Sequence, residues 1–295
     1  MSRRSRGRFV VAYLAPAATL YAVFLLYPLA QAFVMSFYKW SGLSDRREFI
    51  GLDNFRALFS DDGFRQALTN NAYMLVVSFC VLISAGLAIA HVLQHGDRLT
   101  AMVRAIFLFP HVMSLIAAAL LWYFVYSPTS GLLNGITGLW GATPQPWLGQ
   151  KSTALLAVTV AFIWWALGFY VMLFSAGLKM ISEEIHEAAA LDGSTGWHRF
   201  RYVTWPMMFE VKRIAAIYIV INVVNTFGLI NLMTNGGNPD RATEVLLTYL
   251  YERGIEGSRF GYGTAIAVVT FLLVVVLSAL VMAWFRRDPV EVKGA

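Results

Sequence analysis

Residues 154–177 read ALLAVTVAFIWWALGFYVMLFSAG, 24 positions without a single Asp, Glu, Lys or Arg. A helix needs about 20 such residues to cross roughly 30 Å of hydrocarbon. The run lacks the two-residue alternation of a barrel strand, so it must satisfy its backbone internally as a helix. Working outward, five further runs share this character: 10–36, 69–93, 105–126, 214–233 and 262–285. The 295-residue chain is 58% hydrophobic and 14% charged, with a mean hydropathy of +0.60. A soluble domain carries about 25% charged residues, and lipid must cover the apolar excess. The expected fold is all-α, a single polytopic membrane domain over residues 1–295 with six transmembrane helices.

The first run follows Arg3, Arg4, Arg6 and Arg8 and so mimics a signal peptide. It continues to Ser36, longer than a signal core of about 7–15 residues, and reads as a retained span. Lys and Arg counts set the orientation. With the N-terminus cytoplasmic, segments 1–9, 94–104, 178–213 and 286–295 hold 14 basic and 8 acidic residues. The outer segments 37–68, 127–153 and 234–261 hold 9 of each sign. The whole net charge of +6 therefore lies on the cytoplasmic side, with both termini. The basic balance is a topology signal, and nucleic acid is not needed to explain it.

Several chemistries are excluded. No lysine follows a glycine, so there is no phosphate-binding loop for ATP, and no H-E-x-x-H, C-x-x-C or G-x-S-x-G is present. The lone Cys80 rules out an internal disulfide and reads as a small packing residue. His91, His95, His111, His186 and His198 show no metal-ligand spacing, so no catalytic or metal site is expected. Inside the spans only His91 and His111 are ionisable. His91 reads as an interface contact, and His111, behind Pro110, as either a backbone partner at a kink or a pathway group. Asp61-Asp62 reads as a solvated loop pair. Among the outer loops, Trp140 and Trp147 are expected to anchor at the interface, and Asn235-Gly236-Gly237-Asn238-Pro239 marks a turn. Residues 245–251 are expected as a short helix along the outer surface.

The longest cytoplasmic segment, 178–213, lies between the fourth and fifth spans. Ser182 is placed to cap a helix whose first turn carries Glu183 and Glu184, and Gly193 is placed to end it. Ile185, Ala188, Ala189 and Asp192 fall at i, i+3, i+4 and i+7, giving a face small enough for a partner to approach closely. A second amphipathic piece carries Trp197, Phe200, Tyr202 and Val203, and Thr204-Trp205-Pro206 starts the next helix. Glu187-Ala188-Ala189, then Gly193, then Val203-Thr204-Trp205-Pro206 closely resembles the E-A-A, G, I-x-L-P loop of membrane subunits in binding-protein-dependent ABC importers. Trp205 stands where that family has Leu. Ala15-Pro16-Ala17, Tyr27-Pro28, the 49–55 stretch with Asn70-Asn71, and 234–239 with Thr243 and Tyr251 are similar to its sugar-uptake branch, related to the maltose and glycerol-3-phosphate importers.

The resemblance implies the first of two non-identical permease subunits in a bacterial or archaeal cytoplasmic membrane. Its partners would be a second permease, two ATPase subunits that bind ATP and Mg, and an extracytoplasmic solute-binding protein. The solute would be a sugar, an oligosaccharide or a glycerophosphodiester. Glu184, Glu187, Ala188, Ala189, Leu191, Asp192, Gly193 and Pro206 would dock the ATPase, making 178–213 a coupling loop. The chain itself would be no enzyme and would hold no cofactor. The competing readings are a membrane-integral transferase and a structural assembly subunit.

Polar residues in a span are costly unless they face a cavity or another helix. In the fifth span Asn222, Asn225 and Thr226 fall at i, i+3 and i+4, on one face near the bilayer midplane. In the fourth, Trp164 and Trp165 lie at similar depth, and an indole can stack on a sugar. Two readings stay open for these residues: a solute pathway, or interhelical hydrogen bonds for the Asn pair and lipid or packing contact for the tryptophans.

Overall fold

A computed structural model describes residues 13–43, 46–94 and 98–285. The arginines at positions 3–8, His95 and the 286–295 tail lie outside the described residues. The chain divides into two compact units, 1–61 with 250–271, and 62–249 with 272–295. Among the described residues four helices are long and apolar enough to cross a membrane: α1 Tyr13–Met35, α3 Asp62–Val92, α7 Lys151–Lys179 and α11 Phe260–Trp284.

Two further spans are not straight. The 105–126 run is two helices, α4 Arg98–Val112 and α5 Leu115–Val125, bent by 99°. Pro110 lies inside α4. α4 continues through it, and the chain turns at Met113-Ser114, where the extended Ser114 caps α5 by accepting from the Ala117 amide at 3.2 Å. The 214–233 run is likewise α9 Phe209–Val224 and α10 Phe227–Thr234, bent by 43°. Counting each bent pair as one span gives six.

In the first unit, Tyr38–Lys39 and Glu48–Phe49 form a two-stranded antiparallel ladder, Tyr38 opposite Phe49 and Lys39 opposite Glu48. Helix α2, Asp53–Ser60, follows it. Asn54 on α2 donates from one amide nitrogen to the carbonyls of Ser36 (2.9 Å) and Tyr38 (3.0 Å). These bonds tie the loop to the end of α1. The start of α11 closes the same unit. The Gly261 amide donates to the Trp40 carbonyl at 3.0 Å, and a Cβ on Gly261 would collide with the Tyr38 carbonyl, so only glycine permits the approach. Asp61 accepts from the Tyr262 hydroxyl at 3.0 Å.

The second unit holds the main apolar core, in which Leu82, Leu87, Phe162, Tyr170, Phe174, Ile219 and Val223 are buried. Residues 246–250 are helical as expected, yet they do not lie along a surface: Leu246, Thr248 and Tyr249 are buried. Trp147 packs against the core. Its indole donates to Asn134 Oδ1 at 2.9 Å, and the same oxygen accepts the Gln145 amide at 3.0 Å, closing the loop after α6, Leu132–Gly138. Trp140 is exposed, as an anchor requires.

Candidate functional site

Two regions of the second unit collect the residues singled out from the sequence. The first follows α7. Helix α8, Glu183–Leu191, begins after an extended Ser182 whose hydroxyl makes no cap bond, so its acidic first turn, Glu183 and Glu184, meets the positive dipole end without it. Its C-terminus is a Schellman motif. Gly193 sits at φ +76°, its amide donates to Ala190 at 3.0 Å, and the Ser194 amide donates to Ala189 at 2.8 Å.

The expected small face splits in two. Ala189 is buried and Ile185 packs on the core, while Glu184, Glu187, Ala188, Leu191, Asp192 and Gly193 face outward. Ala189 therefore holds α8 down. The surface left for a partner is the acidic and apolar stripe beside it. Leu191 is 90% exposed and Trp197, one short turn on, 74% exposed and stacked on Phe200 at 5.3 Å.

Pro206 stands half-buried at the start of the helical turn Trp205–Met207. Trp205 is held from behind. Lys212, only 7% exposed, donates its ammonium to the Trp205 carbonyl at 2.6 Å and lies 3.8 Å from the Trp205 ring centroid. A cation that would be costly to bury alone is thus hydrogen-bonded and placed on a π face. His91 lies edge-on to Phe200 at 5.6 Å.

The second region is the face of α9 that carries Asn222. Asn222 donates to the Tyr218 carbonyl at 2.8 Å and Asn225 to the Ile221 carbonyl at 2.7 Å, each within its own helix one turn back. Asn222 also meets the Tyr170 hydroxyl of α7, an interhelical contact as considered for it, whereas Asn225 makes no interhelical hydrogen bond among the described residues. Thr226 departs from the expected face. The helix ends at Val224 and restarts at Phe227, so Thr226 turns inward, fully buried, and its hydroxyl donates to the Val223 carbonyl. Asn225, at the same break, is exposed.

Trp164 packs edge-on against Trp122 at 5.7 Å, as a packing residue does. Trp165 is fixed differently. Its indole donates to the Met113 carbonyl at the α4–α5 bend (3.1 Å), and its ring meets His111 at 4.6 Å. His111 also meets Phe169 at 5.2 Å, and Phe169 meets Tyr218 at 5.5 Å. A continuous aromatic wall, Trp165, His111, Phe169, Tyr218, thus leads to Asn222. Phe169 and Tyr218 went unnoticed in the sequence. Tyr218 precedes Asn222 by one turn, the one local signal that could have found it. Of the polar atoms of the wall, His111 Nδ1 is buried without a partner. Among the described residues no group of His, Cys, Asp and Glu could hold a metal.

Residues 82–288 match the family described as the binding-protein-dependent transport system inner membrane component. The chain belongs to that family. Its relatives include YurN, a probable ABC transporter permease protein of Bacillus subtilis, 34% identical with 95% of this chain and 96% of that one covered. The diacetylchitobiose uptake system permease protein NgcF of Streptomyces coelicolor is 33% identical, with 94% and 82% covered. The trehalose/maltose transport system permease protein MalF of Thermococcus litoralis is 30% identical, with 92% of each covered. The fold of this inner membrane component is also that of a chain in a bacterial ABC transporter importing alginate, with a TM-score of 0.84, 97% of each chain covered and 22% identity.

Proposed function

We infer that this inner membrane component is one of two permease subunits in an ATP-driven importer for a sugar or oligosaccharide, set in the cytoplasmic membrane with both termini inside. An extracytoplasmic solute-binding protein delivers the solute, and two ATPase subunits carry ATP and Mg. The observation that carries the reading is the loop of 178–213, a short helix anchored on its inner side by Ala189 and Ile185 with acids and bare apolar side chains on its outer side. The buried Ala189 and the Lys212–Trp205 lock make the loop a rigid lever joined to α7 and α9, so force applied to α8 reaches both helices. Glu187, exposed in the free chain, pairs with a cation of the ATPase subunit. The aromatic wall and Asn222 line the pathway, offering rings for sugar faces and amides for hydroxyls. The solutes in the relatives' names, diacetylchitobiose and trehalose/maltose, support a neutral saccharide over a glycerophosphodiester.

The test is Glu187→Ala in the assembled transporter reconstituted in vesicles. A contact of this kind is worth roughly 2–5 kcal/mol when desolvated. Uptake is expected to fall at least tenfold while the variant permease inserts and melts as the parent does. Full uptake by the variant would sink the docking assignment.

A further inference from the structure

The first unit contains a cleft of about 850 Å³ that the transport reading does not use. Its walls come from the loop after α1 and from the residues just before and within α11. Lys39, Arg46, Arg47 and Arg259 line it, with Trp40 and Tyr262 between them. Two of the arginines are stacked on those rings, the Arg47 guanidinium 4.5 Å from the Trp40 centroid and that of Arg259 4.6 Å from Tyr262. Stacking fixes a guanidinium plane and leaves its edge donors free for an acceptor.

The four cations differ from several other arginines of the chain. Arg56 pairs with Asp53 at 2.9 Å, Arg65 with Asp62 at 3.4 Å and Arg241 with Glu244 at 3.7 Å. None of the cleft's four forms an ion pair among the described residues. Of the two acids in the lining, Asp53 is taken by Arg56, and Glu48 stands opposite Lys39 in the ladder without closing an ion pair.

Depth identifies the ligand. Lys39 comes four residues after the end of α1, and Arg259 directly precedes α11, so the cleft sits at the level where two spans leave the hydrocarbon. Trp and Tyr belong at that level. Ile50 and Ala57 add apolar floor, and α1 in the same unit has no buried side chain along its length, leaving apolar surface for acyl chains. A ligand that is anionic at one end, apolar at the other and confined to this depth is a phospholipid. We propose that this cleft binds the phosphodiester headgroup of an anionic phospholipid.

The experiment uses the full-length protein in nanodiscs of phosphatidylcholine with a few per cent phosphatidylglycerol, and counts lipids retained by native mass spectrometry. The parent is expected to retain one phosphatidylglycerol in preference to phosphatidylcholine. R47Q/R259Q should lower that affinity roughly thirty-fold, at about fivefold for each basic residue removed. R47K/R259K should keep most of it, and R56Q, outside the cleft, all of it. Equal retention by parent and R47Q/R259Q would overturn the proposal. So would displacement of the lipid by millimolar inorganic phosphate, which would mark a free-phosphate site. Loss of binding-protein docking by R47Q/R259Q in pure phosphatidylcholine would instead make the cleft a protein-docking surface and equally overturn it.

Discussion

Asn70, near the start of α3, offers a quantitative test of how the loop of residues 235–245 is held. Its amide nitrogen donates to the carbonyls of Arg241 (3.1 Å) and Glu244 (2.8 Å), and its oxygen accepts from Gln66 at 3.0 Å. The neighbouring Asn71 accepts the Leu246 amide at 2.8 Å. Two adjacent side chains thus hold a segment 170 residues away. Asn70→Leu keeps the volume and removes both donors. Each neutral bond is worth about 1 kcal/mol net, so the loop loses about 2 kcal/mol of local stability. That corresponds to a roughly thirty-fold faster hydrogen exchange of the 241–246 amides, read by exchange mass spectrometry. Asn70→Asp is the sharper variant. It keeps the shape but turns a carboxylate oxygen onto two carbonyl oxygens in a buried site, and should accelerate exchange more than Leu does. If Asp proves milder than Leu, or neither changes exchange, the hydrogen bonds do not hold the loop and the reasoning fails.

Two further outcomes are expected. Asn222→Leu with Asn225→Leu should lower solute uptake several-fold while ATPase stimulation by the loaded binding protein changes less; wild-type uptake by a normally assembled double variant would reduce this face to packing. Gly168→Val should lower the melting temperature of the purified protein, because a Cβ at Gly168 would strike the Phe107 carbonyl of α4 and lie 2.8 Å from Leu108 Cα. Overpacking of this kind costs about 1–3 kcal/mol, and an unchanged melting curve would show that α4 and α7 part freely.

The spans were legible because absent charge over some twenty residues has one physical meaning, whatever the rest of the chain does. The bends were not. The absence of charge runs unbroken through Met113-Ser114 and Asn225-Thr226, so nothing in a charge count registers a turn that a serine cap or a fraying helix end creates. For the same reason Thr226 was assigned to the face of Asn222: the i+4 rule holds only while the helix continues. In the loop, Gly193 announced its own positive φ. Ala189 did not announce its burial, since alanine suits an inward and an outward position equally well. The aromatic wall was out of reach because Phe169, Tyr218 and His111 belong to three helices and meet only through packing. Asn70 and Asn71 could be noticed, but their partners lie far along the chain.

The exposed end of α8 has a bearing on how such a chain fares in a cell before its partners arrive. Leu191 and Trp197 stand almost bare, and each large apolar side chain left uncovered forgoes about 1.5–3 kcal/mol that burial would yield. On the docking proposed above, a copy made without its ATPase subunit is sticky at the place where an assembled copy is covered. Supply of the capping subunit then decides how long the chain survives. A cell that makes too much of it should lose the surplus to aggregation or proteolysis, so balanced synthesis of the subunits is already written into two side chains.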